Sequence, residues 1–304
     1  SSDVCSSDLG YKSLLVIGAV PVEEHFVKFS NMCVPIYVFI SGYGLSLSEG
    51  KLSRQLKRIS KLFIVYLPIF LIGSLAVIYG KGIPPVAEEF FLNGIAVSHS
   101  YNNHWWFIPM YAMLLLIFPI LEKSVGHAKY IVPILLLLKI GGKFGLSEYE
   151  TYTGYRIVGC CLNTIYTLSV YAVVFYAGIL CVQHRRVSAI YQRFCRYVKS
   201  SNIFISLLIL FAMIVISDTV PNYGLFSFVF TPVILPALLK VAGGKYMKIL
   251  GNLSTHIWLS HGILLMFIRP FFNEMGYSIL NYVSFVLYCI LLSCVLKKLF
   301  SFSV

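Results

Sequence analysis

The chain has 304 residues, of which 58% are hydrophobic and only 12% are charged, against roughly 25% charged in an ordinary soluble domain. Such a chain cannot cover a globule with polar surface, and long uncharged runs recur from residue 31 to residue 298 with no hydrophilic block large enough to fold alone. The net charge of +12 does not mark a nucleic-acid binder, because the basic residues stand in short clusters between apolar runs, as topology signals do.

Residues 1–9, S-S-D-V-C-S-S-D-L, share neither composition nor rhythm with the rest of the chain and read as a translated adapter. They are set apart as a non-native leader, residues 10–304 are taken as one membrane domain, and the natural start is expected upstream. Segment 11–22 is apolar but too short to span, since about 30 Å of hydrocarbon requires about 20 helical residues. The first candidate span is 31–48. There C-V-P-I-Y-V-F-I-S-G-Y-G-L, residues 33–45, groups Ser41, Gly42 and Gly44, small residues that admit either a neighbouring helix or a ligand. The segment K-L-S-R-Q-L-K-R-I-S-K leads into the second span, 61–80, and sets Lys57 beside Arg58 and Lys61, which share a helix face. These cations suit the phosphates of a cytoplasmic donor; they also fit the retention of positive charge on that side.

The third span, 105–121, opens on N-N-H-W-W-F-I-P-M-Y. His104, Trp105 and Trp106 at its outer mouth join aromatic faces to an imidazole, which suits a sugar ring and its hydroxyl proton, although interfacial tryptophans also serve as anchors. The fourth, 130–146, is interrupted by Lys139, Gly141, Gly142 and Lys143 and is expected to be short, broken or partly re-entrant. Spans at 162–183, 203–218 and 223–240 come next. The eighth, 250–269, reads L-G-N-L-S-T-H-I-W-L-S-H-G-I-L-L and carries His256 and His261, intramembrane groups that are functional candidates. A five-residue separation turns them about 140° apart, so they neither line one cavity directly nor form a helical zinc pair. Ser254, Trp258 and His261, at i, i+4 and i+7, do share a face and are the preferred lining; a neutral histidine bonded to a neighbouring helix is the plainer role. The span 279–298 completes about nine.

Alternate loops then separate by charge. Segments 51–61, 123–129, 185–199, 240–248 and 297–298 hold most of the 24 Lys and Arg residues, and the opposite loops hold most of the 12 Asp and Glu. The basic set is placed in the cytoplasm. This puts the C-terminus inside and residue 10 outside, and so calls for an earlier, tenth helix. The eight cysteines lack paired spacing and read as small core residues. No P-loop, G-x-S-x-G, dinucleotide or H-E-x-x-H motif is present, and no metal is expected.

Taken in order, C-V-P-I-Y-V-F-I-S-G-Y-G-L, K-R-I-S-K-L-F-I-V-Y-L, W-W-F-I-P-M-Y-A-M-L-L-L-I-F-P-I-L, F-Y-A-G-I-L and L-G-N-L-S-T-H-I-W-L-S-H resemble the acyltransferase 3 family, over residues from about 11 to 298. The resemblance implies an all-α, polytopic transmembrane bundle, about nine helices of an expected ten, in a bacterial cytoplasmic (inner) membrane. It implies an O-acyltransferase with no bound cofactor that takes an acyl group, acetyl as the usual case, from acyl-CoA as co-substrate. The acceptor would be a hydroxyl of a surface or exported glycan or of a lipid-linked sugar.

The family's basic pair falls on Arg58 and Lys61, where its second position is more often Arg. Its arginine and catalytic histidine sit on a first helix that is expected upstream. The segment L-L-V-I-G-A-V-P-V-E-E-H-F-V-K-F resembles the loop after that helix, so His25 is not the catalytic histidine, and the 304 residues alone are expected to be inactive. His261 and His104 remain as catalytic candidates. Acyl transfer to an alcohol needs a base near the hydroxyl and donors near the developing oxyanion. The alternative class is a transporter or flippase of lipid-linked sugars, for which an internal repeat would be expected; none is visible.

Overall fold

Inside a bilayer every backbone N–H and C=O must be satisfied within the chain, so an apolar polypeptide spans as helices or as a closed barrel. The computed structural model describes residues 16–17, 20–21, 29, 31–48, 51–82, 86–142, 156–220, 222–275 and 278–299, and these are overwhelmingly helical. The helices are α1 (Cys33–Ser46), α2 (Leu52–Lys81), α3 (Ala87–Gly94), α4 (Phe107–Lys123), α5 (Ala128–Gly141) and α6 (Arg156–Gln183). They continue as α7 (Arg185–Ser200), α8 (Ile203–Thr219), α9 (Ser227–Ala242), α10 (Gly244–Met275) and α11 (Ser278–Leu299). Single 3-10 turns at Asn103–Trp106, Ser124–His127 and Tyr223–Phe226 lead into α4, α5 and α9. The strand pairing among the described residues is one short ladder, β1 (Val16–Ile17) against β2 (Val20–Pro21). The leader 1–9, His25 and Lys143 lie outside the described residues.

Each expected span falls on a helix. Leu52–Gly80, Asn103–Gly141, Val158–Gln183 and Tyr223–Ala242 are long and apolar enough to cross a membrane, and the apolar α8 follows α7 at a bend of 118°. The chain is thus an all-α, multi-pass membrane protein. Two helices, α3 and α7, fall where the sequence reads as loop, because α3 has only eight residues and α7 is polar. The chain divides into two compact units.

One unit comprises Asn31–Ser60 and Trp106–Gly244. Its core is the middle of α6, where Val173, Val174, Phe175, Tyr176 and Ile179 are buried. Helix α1 crosses α6 at two reciprocal glycines. A Cβ on Gly42 would strike the Phe175 carbonyl oxygen, and one on Gly178 would strike that of Phe39. Lipid supplies no hydrophobic drive for helix association, so this close backbone approach is how dispersion holds the pair. Helices α4 and α5 also pack on α6. Trp106 stacks on Tyr171, and a Cβ on Gly142 would meet Ser169, so both ends of the stretch Asn103–Gly141 reach the same level of α6. A straight helix would hold those ends roughly 50 Å apart; the stretch therefore folds back at Ser124–His127.

The interrupted fourth span is short but helically continuous to Gly141, and its lysine is solvated by the protein. Lys139 is 1% exposed and its Nζ donates to the Gly224 carbonyl at 3.0 Å and the Ser227 hydroxyl at 2.9 Å. Along α8, Phe204, Leu207, Leu208, Phe211 and Val215 form an exposed stripe, the surface a lipid-facing helix presents.

The other unit comprises Ser1–Ser30, Lys61–Trp105 and Lys245–Val304. On α2, Ile64, Leu67, Leu71 and Leu75 are exposed toward lipid, while Tyr66, Ile69 and Phe70 are buried. Gly73 and Gly80, two turns apart, admit Ile263 and Phe267 of α10 so closely that a Cβ at either glycine would displace them.

Candidate functional site

The polar centre of the second unit is built on the segment 89–105 and the middle of α10. Glu89, buried on α3, accepts hydrogen bonds at Oε1 from the hydroxyls of Ser98 (2.8 Å) and Ser100 and from the Asn93 amide (3.1 Å). Asn93 in turn accepts the Tyr101 N–H at Oδ1 (3.3 Å), and its carbonyl accepts the Tyr66 hydroxyl at 2.5 Å. A carboxylate buried without such donors would be very costly; here it gathers the loop that delivers the next residues.

Those residues are Asn102, His104 and Trp105. The Asn102 Oδ1 accepts the His104 backbone N–H at 3.1 Å, the local turn that asparagine favours. Trp105 then donates its indole N–H to the Leu259 carbonyl of α10 at 3.0 Å, which seats the turn on that helix. It is 1% exposed and meets Tyr66 and Phe70 edge-on, with centroids at 5.2 and 5.8 Å. Trp105 is accordingly a core residue rather than an interfacial anchor.

Gly262 closes the arrangement, because a Cβ there would overlap the Asn102 Oδ1 and crowd the His104 ring. The outcome is that His104 and His261 come together with ring centroids 4.5 Å apart and planes inclined at 52°. The His261 Nδ1 lies 2.6 Å from the Trp258 carbonyl oxygen. A carbonyl can only accept, so Nδ1 carries the proton and Nε2 keeps its lone pair. The Nδ2 amide of Asn102, fully buried, has no hydrogen-bond partner among the described residues. Gly262 thus sets Asn102 and His104 against α10, where His261 is the next residue.

The rest of the predicted α10 stripe contributes less. Trp258 supplies its carbonyl and Ser254 turns its hydroxyl to the Gly251 carbonyl at 2.8 Å, while His256, off that stripe, is buried with its Nδ1 unpartnered among the described residues.

In the first unit, Arg58 lies at the start of α2 and donates from Nη1 to Gln55 Oε1 and from Nη2 to the Ser48 hydroxyl, both at 3.1 Å. Gln55 is fully buried and its Nε2 has no partner among the described residues. The guanidinium and this amide form a donor group just past the end of α1. Lys57 and Lys61 are exposed. Ser41 turns its hydroxyl back to the Tyr37 carbonyl at 2.9 Å, and Gly42 is filled by α6. Tyr111 stands beside Ser41 and within electrostatic reach of Arg58. Trp106 stacks on Tyr171 with centroids 5.7 Å apart.

Sequence reasoning missed Glu89, Asn102 and Lys139 as partners in these networks. The signal for the first two was the density of Asn and Ser over 93–103, too polar for a bare connection between spans. Among the described residues, no three His, Cys, Asp or Glu side chains converge as a metal ion would require.

The model of the family Acyl_transf_3, described as an acyltransferase domain, matches residues 9–298, nearly the whole chain. No curated protein and no solved structure matches it. With helices fit to cross a bilayer and this match over nearly its whole length, the chain belongs to the acyltransferase 3 family and is a membrane acyltransferase.

Proposed function

We propose that the protein is an O-acyltransferase that moves an acyl group, acetyl in the simplest case, from acyl-CoA to a hydroxyl of a surface or exported glycan. In this reading it sits in a bacterial cytoplasmic membrane with its C-terminus in the cytoplasm. The observation that carries the reading is the cluster of Asn102, His104 and His261, because a base and a hydrogen-bond donor are what addition of an alcohol to a thioester requires.

His261 Nε2 takes the proton from the acceptor hydroxyl as its oxygen forms a bond to the thioester carbonyl carbon. The Asn102 amide donates to the oxyanion. Collapse breaks the carbon–sulfur bond, and the thiolate leaves with the proton returned from the imidazolium. His104, at 4.5 Å between centroids, provides a second imidazole for that proton. These groups act alongside the histidine that the resemblance assigns to the family's first helix. On the donor side, Arg58 with the Gln55 amide offers planar donors for the phosphates of coenzyme A, and the exposed Lys57 and Lys61 add positive charge.

Membranes carrying the full-length protein and a candidate glycan, incubated with acyl-labelled acetyl-CoA, test this. Label appearing on the glycan as a base-labile ester supports the reading. Glycan crossing the membrane unlabelled would replace it with transport.

A further inference from the structure

The most densely basic helix among the described residues is α7, R-R-V-S-A-I-Y-Q-R-F-C-R-Y-V-K-S, which carries five cationic side chains in 16 residues and no acidic one. At about 100° per residue, Arg185, Arg186, Arg193, Arg196 and Lys199 fall within an arc of about 140°, and all five are exposed. The opposite face is turned into the protein. Val198 is buried there, and Tyr191 packs edge-on to Phe39 and Tyr43 of α1 at 5.9 and 6.0 Å. The cations are therefore fixed in position by a packed helix and do not belong to a free loop.

Two features place this helix at a bilayer surface. The α7 axis is bent by 118° from that of α8, whose apolar stripe faces lipid, so α7 lies closer to the membrane plane than to its normal. Lys240, at the end of the spanning helix α9, donates to the Val198 carbonyl at 2.7 Å and to the Ser201 carbonyl, pinning the end of α7 at the level where α9 leaves the membrane. Arg193, Arg196, Tyr197, Lys199 and Ser200 lie side by side on one open surface of this helix.

We propose that the Arg193–Arg196–Lys199 face of α7 is a binding site for the phosphate headgroups of anionic phospholipids. Charge complementarity selects the ligand, since a phosphodiester satisfies both the forked guanidinium donors and the ammonium. Tyr197 and Ser200 supply the hydroxyls that a glycerol headgroup would meet. Zwitterionic lipid offers the same phosphate with its charge cancelled, and should bind much more weakly.

The test is titration of the purified protein in detergent with fluorescent phosphatidylglycerol and phosphatidylcholine. The expected result is at least a tenfold preference for phosphatidylglycerol, on the order of what three juxtaposed cations provide. Arg193→Gln/Arg196→Gln/Lys199→Gln should reduce it to within about twofold, while Arg193→Lys/Arg196→Lys, which keeps the charge, should retain most of it. In the unaltered protein, raising salt from about 0.05 to about 0.5 M should erase the preference by screening, a readout independent of how any variant folds. Equal binding of the two lipids, a preference indifferent to salt, or a neutralised triple variant that keeps it would overturn the proposal. Displacement of phosphatidylglycerol by free coenzyme A would do the same and would assign the cations to the nucleotide phosphates.

Discussion

A histidine whose Nδ1–H is tied to a carbonyl of its own helix has one tautomer and one lone pair to offer, and His261 is held that way by Trp258. His261→Gln should lower the turnover of acyl transfer by about 10²–10⁴-fold with little change in KM for acyl-CoA, measured as ester formation at saturating donor. Asn102→Ala removes a buried amide and should cost about 10²-fold in the same assay. Gly262→Ala adds one methyl where Asn102 Oδ1 already stands. Its activity should fall about as far as that of Asn102→Ala, although no group of the proposed chemistry is removed. An active Gly262→Ala enzyme would show that the close fit of α10 against Asn102 is not needed for catalysis.

Helices in this protein meet through glycines, and the motif I-S-G-Y-G-L offers its own control. Gly42 abuts the Phe175 carbonyl, whereas a Cβ on Gly44 would meet nothing within 4 Å. Gly42→Leu and Gly178→Leu should each destabilise the fold by about 1–3 kcal/mol or more, while Gly44→Leu should be nearly silent; thermal unfolding in detergent distinguishes them. The spans were legible because lipid tolerates only long apolar helices. Helix α7 was hidden by its charges, yet the gathering of its five cations on one arc is a periodic signal that a hydropathy reading passes over. The meeting of His104 and His261 was not legible, since it depends on Trp105, Asn102 and Gly262 together, and each of those has an ordinary role when read alone. Trp105 looked like an interfacial anchor for this reason.

Over the whole molecule, charge is sorted between alternate loops, and the proposed orientation predicts that a reporter active only in the cytoplasm will be active when fused after Val304. Loss of that signal would reverse the topology. The buried lysine of α5 bears on how the protein is made. A helix of 14 residues, shorter than the hydrocarbon it must cross and carrying Lys139 in its last turn, is a poor candidate for spontaneous transfer from the translocon to lipid. Its oxygen partners, Gly224 and Ser227, lie 85 and 88 residues further on and are synthesised later. Membrane integration of α5 should therefore wait for α9. Nascent chains stopped before Gly224 should leave a cysteine substituted at Leu137 open to water-soluble thiol reagents, chains carried past Ala242 should protect it, and Lys139→Leu should remove the delay.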